Sequence, residues 1–233
     1  MARQRRRGKM RGTGGTDGKF RVAMAGRSVM GHWFKFWNFP EMLSRYAIYF
    51  PWPIPYHVYT KGPYRLEYVR IVPPDPDQAD PSYGKGTLSS LREHVGGKRY
   101  DAMFFKLCFV DFRDRKLKDE ITKQKLFDGM KSLVTDVHAF ARGERAKLIL
   151  GNALPVLKPG EYAQRLRREY NEWIREYAGR GSDIAVFDLF GLLADDRGTL
   201  RTDFARNPFD PHLNKKAYSI LEKELDIRLS EVR

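Results

Sequence analysis

A serine hydroxyl becomes a competent nucleophile only when an imidazole accepts its proton and a third group holds the imidazole in place. The chain carries these residue types near its two ends. Ser28 closes the tripeptide Gly26-Arg27-Ser28 directly after a β-prone run, and His212 sits in Asp210-Pro211-His212-Leu213-Asn214 just before the last helical segment. A serine at a strand-to-helix turn has a second asset, because its own backbone N–H lies in the region where a helix N-terminus stabilises an oxyanion. The chemistry on offer is attack on a carbonyl. By residue type alone each group also has a structural alternative: Ser28 as a helix cap, Asp210 as the cap of the last helix, His212 as a surface histidine in a turn.

Such groups act only if the elements around them bring them together. Five β-prone runs, at 20–25, 64–72, 102–110, 147–151 and 184–188, alternate with helical segments. Leu126, Phe127, Met130, Leu133, Val134, Val137, Phe140 and Ala141 follow the 3.6-residue period, as do Tyr162, Leu166, Tyr170, Trp173, Ile174 and Tyr177. Leu213, Ala217, Ile220, Leu221 and Leu225 do the same for a final helix. Alternation of this kind predicts one α/β domain with a five-stranded parallel sheet covered on both faces. In open parallel sheets ligands bind beyond the carboxyl ends of the strands. Ser28 falls after strand one, Gly84 and Gly86 after strand two, Asp111 after strand three and Asn152 after strand four, so all of these and His212 are expected at one edge. Thr87 or Ser89 is a candidate cap for a short helix there. Asp111 also reads as a structural group bonding loop amides, Cys108 as a small buried apolar residue, and both glycines as turn residues.

The two short motifs together resemble the SGNH (GDSL-type) hydrolase superfamily, and in layout the resemblance spans about residues 19 to 229. It implies a flavodoxin-like three-layer α/β/α sandwich running esterase, lipase or carbohydrate-deacetylase chemistry without a metal. On that resemblance Ser28 is the nucleophile, His212 the base and Asp210 the acid that orients it. A glycine after strand two, Gly84 or Gly86, would join the Ser28 amide in the oxyanion hole. The chain departs from the family pattern at three points. Arg27 stands where Asp is usual. The strand-three motif, normally Gly-x-Asn-Asp, is Cys108-Phe109-Val110-Asp111, so a donor is replaced by Val110; loss of one such donor costs about 10²–10³ in turnover. The acid usually precedes the histidine by three residues, which here is Phe209, whereas Asp210 precedes it by two. Asn152 is the amide side chain at a neighbouring strand end able to replace the lost donor.

Composition sets the outer limits. With 42% apolar and 31% charged residues in 233, the chain can bury a sizeable core and is not disordered throughout. The first 18 residues hold six basic side chains and one acid and read as a flexible basic tail, with the domain over 19–233. That tail accounts for +5 of a total charge of +14, leaving +9 on the domain. The charge admits a polyanion, but no nucleic-acid-reading motif accompanies it. No apolar run approaches the ~18 residues of a membrane span and no secretory signal is evident, which points to the cytoplasm. One cysteine excludes an internal disulfide, the histidines lack metal-ligand spacing, and Gly26 to Gly31 lacks the Gly-x-Gly-x-x-Gly order, so neither metal nor nucleotide cofactor is expected. Residues 33–64 hold 12 of 31 aromatics, interrupted by Pro51, Pro53 and Pro55. They suit core packing first, and a pocket wall or partner contact second. The expected function is hydrolysis of a small-molecule or glycan ester. A catalytically silent protein of the same fold that binds a glycan or an anionic partner is the alternative.

Overall fold

The structure is a computed structural model and describes residues 18–38, 57–74, 83–112, 117, 119–208 and 210–233, with Asp210 and Pro211 described by backbone alone. The predicted tail therefore lies outside the described residues except for Gly18. In chain order the elements are β1 (Phe20–Gly26), α1 (Ser28–Asn38), β2 (Val58–Lys61), β3 (Tyr64–Arg70), α2 (Lys85–Val95), β4 (Ala102–Lys106) and α3 (Glu120–Gly143). There follow β5 (Lys147–Gly151), α4 (Glu161–Ala178), β6 (Ile184–Phe187), α5 (Leu189–Leu193), β7 (Ala205–Asn207), β8 (Asp210–Leu213) and α6 (Lys215–Val232).

The main sheet has the order β2-β3-β1-β4-β5-β6. Its five expected strands are parallel, and among themselves they run in the 2-1-3-4-5 order of flavodoxin-like sheets. The expectation of five strands needs one correction, because β2 adds a sixth as an antiparallel edge on β3. The two-residue loop Gly62-Pro63 makes this hairpin, with Gly62 at φ +53°, the positive φ that a first hairpin-loop position demands. Three boundaries also move. The second parallel strand ends at Arg70, and the third stops at Lys106, where the chain turns into a 3-10 segment at Phe109–Phe112. Leu213 ends β8 instead of opening the last helix, and the cap of α6 is Asn214, whose Oδ1 accepts the Ala217 N–H at 3.1 Å. Asp210 therefore does not occupy that cap position.

Burial explains why these segments form. All five residues of β4 are buried, as suits a central strand covered on both faces. One face carries α2, α3 and α4 through Leu91, Leu133, Val137, Leu166 and Tyr170. The other carries α1, α5 and α6 through Trp33, Phe34, Leu193, Leu221 and Leu225. The result is a three-layer α/β/α sandwich. The described aromatics of the rich segment serve mainly this second face: Trp33 packs against Phe104, Phe187 and Tyr218, and Trp37 stacks on Tyr59 at 4.9 Å. Among the described residues no helix is long and apolar enough to cross a membrane.

The β1-to-α1 junction is the tightest turn near the predicted nucleophile. A Cβ on Gly26 would lie 2.8 Å from the Met30 Cβ, in the first turn of α1. Because that contact is close to both backbones, Gly26→Ala is expected to destabilise the protein by about 1–3 kcal/mol. In urea unfolding the midpoint should fall with the slope unchanged.

Candidate active site

Ser28 is the first residue of α1, at the carboxyl end of β1, and is exposed. The cap position belongs to Arg27, whose carbonyl accepts the Gly31 N–H at 2.9 Å. Ser28 is thus not the cap, and it stands in the first turn, where N–H groups lack intrahelical acceptors. Its hydroxyl lies 3.9 Å from the Cys108 Sγ, within reach of a weak sulfur hydrogen bond. Cys108 is buried, as its apolar character predicts.

The elbow is latched to the end of β4. Arg27 forms a short ion pair with Asp111, and both side chains are largely buried. The second carboxylate oxygen of Asp111 accepts the Cys108 N–H at 2.7 Å. Asp111 therefore does bond a loop amide, and in doing so draws the chain out of the sheet into the 3-10 turn. Burial pushes the Asp111 pKa above the usual aspartate value, opposed by the Arg27 charge, the Cys108 N–H and Lys106. The Tyr68 hydroxyl adds a hydrogen bond of 3.3 Å to the Arg27 carbonyl.

A cavity of about 800 Å³ opens beside Ser28, a size suited to a small-molecule ligand. From α1 it receives Ser28, Gly31, His32 and Lys35, the i, i+3, i+4, i+7 stripe of one helix face. Tyr68 and Arg70 come from β3, Ser90 and His94 from α2, and Cys108 and Val110 from the end of β4. Gly31 lets the Tyr68 ring approach, since a Cβ there would sit 3.2 Å from the phenol oxygen. The His94 Nδ1 lies 2.7 Å from the Ser90 carbonyl.

His212 reaches the same edge by a short route. Its ring lies 4.4 Å from that of His32, one helical turn beyond Ser28, and edge-on to Phe109 at 5.4 Å. Phe109 in turn follows Cys108, the neighbour of Ser28. The Asp210 carboxylate lies outside the described part of the structure.

The oxyanion candidates fare differently. Val110, in the position of the expected donor, lines the cavity. Asn152 is buried and turned to α5: its Nδ2 donates to Asp188, and its Oδ1 accepts the Phe190 N–H at 2.9 Å. It is not brought to the cavity. Gly84 opens α2 against α3, where a Cβ would come within 2.5 Å of Leu133. Gly86 lies in the first turn of α2 beside Val72, which lines the cavity, although neither glycine does so among the described residues. No side chain caps α2, and the Thr87 hydroxyl instead donates to the Val72 carbonyl at 2.8 Å, which corrects the cap expected of Thr87 or Ser89. His32, Lys35, Tyr68 and Arg70 were not predicted for the site. Counting helical turns from Ser28 would have found the first two.

No protein-family model matches the sequence, and no curated protein does. Solved structures match in fold. A GDSL-like lipase from Bacteroides thetaiotaomicron aligns at a TM-score of 0.61 and 14% identity, over 92% of this chain and 89% of that one. A carbohydrate acetylesterase from Sinorhizobium meliloti aligns at 0.57 and 12% identity, over 92% of this chain and all of the other. The chain has the SGNH hydrolase fold, the architecture that the two terminal motifs implied.

Removing Arg27 would leave Asp111 as a buried carboxylate without its cation. Arg27→Met is expected to cost about 3 kcal/mol near neutral pH. The Asp111 pKa, already raised by burial, then rises further, so the folded state holds the proton to a higher pH than the unfolded chain. The loss should therefore shrink as pH falls through that folded-state pKa and grow as pH rises. Unfolding free energies measured in urea from pH 4 to 8 check the sign. The double variant Arg27→Met/Asp111→Asn should recover most of the loss.

Proposed function

We propose that the protein is a serine hydrolase of ester bonds, with Ser28 as nucleophile, His212 as base and Asp210 as the group that orients His212. The observation that carries this reading is the exposed Ser28 in the first turn of α1, facing a cavity, with the His212 ring 4.4 Å from that of His32, the residue one helical turn along α1. Its fold, shared with a lipase and an acetylesterase, supports the same class of chemistry.

In the reaction, His212 takes the Ser28 proton as Oγ attacks the ester carbonyl. Negative charge collects on the carbonyl oxygen, where the Ser28 N–H and an amide at Gly84 or Gly86 would hold it. Collapse expels the alcohol, protonated by His212, and leaves an acyl-serine. A water activated by the same imidazole then releases the acid and restores Ser28. The Arg27–Asp111 pair keeps the nucleophile and the cavity wall in register. No step calls for a metal, and activity should survive exhaustive chelation.

One observation favours weak turnover or the silent binding protein instead: Val110 offers no hydrogen bond where the oxyanion would need one. A fluorophosphonate probe separates the readings. Labelling of wild type that is lost in Ser28→Ala supports the enzyme, and absence of labelling in both supports the binder. His212→Ala should cut turnover of a short-chain p-nitrophenyl ester by at least about 10³-fold. Val110→Asn should raise it, by up to about 10²-fold, because the added donor acts mainly in the transition state. A folded Val110→Asn protein as silent as wild type on short-chain esters would count against the hydrolase.

A further inference from the structure

A second hydroxyl meets a histidine far from Ser28. On α3 the buried His138 turns its Nδ1 to the Tyr177 hydroxyl on α4, 2.9 Å away. Its Nε2 lies 3.3 Å from Oδ2 of Asp183, the residue before β6. The Arg142 Nε donates to the same carboxylate oxygen at 2.9 Å. Asp183 chiefly, and Tyr177 to a lesser degree, raise the Arg142 pKa, so its guanidinium stands within electrostatic reach of the phenol oxygen. The carboxylate favours the imidazole tautomer with its proton on Nε2, which leaves Nδ1 to accept from the Tyr177 O–H. A hydroxyl, a base and a third group behind the base thus follow one another, the general signature of an activated nucleophile. Joining α3 to α4 needs only the first of these contacts. The carboxylate behind the ring adds what a base requires.

We propose that Tyr177 is a second nucleophile of the protein, which His138 activates to take an acyl group from aryl esters. The proposal stands apart from the hydrolase reading: Ser28 lies at the carboxyl ends of the strands, whereas Asp183 precedes β6 at their amino ends. In the step, the phenol oxygen bonds to the ester carbonyl carbon, its proton passes to Nδ1, and the bond from that carbon to the aryl oxygen breaks. The departing aryloxide takes the proton from the imidazole. A tyrosyl ester and a free phenol thus replace a tyrosine and an aryl ester. Asp183 steadies the imidazolium between the two transfers. Trp173, half-buried and stacked on Tyr177 at 5.0 Å, offers an aromatic surface to the leaving ring. Tyr177 and Asp183 are half-buried as well, so the array lies at the surface of the protein and not in its core.

p-Nitrophenyl acetate tests this on the full-length Ser28→Ala protein, where Ser28 takes no part. The Tyr177 rate is the p-nitrophenolate release that Tyr177→Phe removes, so it is read whether or not the acyl group stays on the chain. Peptide mapping places the adduct, and hydroxylamine removes a tyrosyl ester while sparing acetylated lysines. Tyr162, half-buried on the same helix under Arg165, is the internal reference, read in the same way through Tyr162→Phe. Tyr177 should react about 10²-fold faster than Tyr162, the scale of general-base assistance. His138→Gln should bring it down to the Tyr162 rate. Asp183→Asn should slow it by about tenfold or more through loss of the tautomer, and this surface change carries the test should the buried His138→Gln fail to fold. Equal rates at Tyr177 and Tyr162, or a Tyr177 rate that Asp183→Asn leaves unchanged, would overturn the proposal without touching the hydrolase. Fast acetylation of Tyr177, in a protein whose wild-type Ser28 takes no fluorophosphonate, would support the proposal and remove the hydrolase.

Discussion

The ion pair between Arg27 and Asp111 ties together the two strand ends on which the site is built. Arg27 belongs to the turn that delivers Ser28, and Asp111 to the turn that delivers Cys108 and Val110. Both side chains are largely removed from water, so each charge depends on the other to offset its desolvation. Asp111 spends its second oxygen on the Cys108 N–H, and that bond ends β4 at Lys106 and starts the 3-10 turn. The adjacent strands β1 and β4 sit where the strand order reverses, the position at which open parallel sheets leave a crevice. One buried pair thus fixes the crevice wall, the register of Ser28 and the exposure of Val110.

Helix α1 meets two demands at once. Positions 29, 30, 33, 34 and 37 are buried against the sheet and α6, whereas 28, 31, 32 and 35 face the cavity. The two stripes interleave along a single helix of 3.6-residue period, so packing of Trp33 among Phe104, Phe187 and Tyr218 sets the direction of the cavity-facing stripe as well. Large aromatics have few rotamers and bury much area, which makes them rigid supports for a residue whose geometry matters.

The layers and the parallel sheet were legible because long periodic helices and short apolar strands alternate, and that signal survives without any tertiary information. The hairpin at β2 was not, since Val-Tyr-Thr-Lys lies beside a proline-rich aromatic stretch and its pairing depends on one glycine with positive φ. Strand ends differ where a side chain intervenes: Asp111 reads as a group that bonds loop amides, but nothing in Leu107 to Val110 shows that the amide it takes is that of Cys108, so that β4 stops at Lys106. Ser28 and His212 stand out as candidates by their flanking motifs, but the cavity does not. Its wall draws on β3, α1 and α2, and only the sheet order brings residues 35, 70 and 94 to one place. Asn152 illustrates the reverse error. Its position at a strand end was read correctly, yet its amide turns to Asp188 and Phe190 and serves to anchor α5.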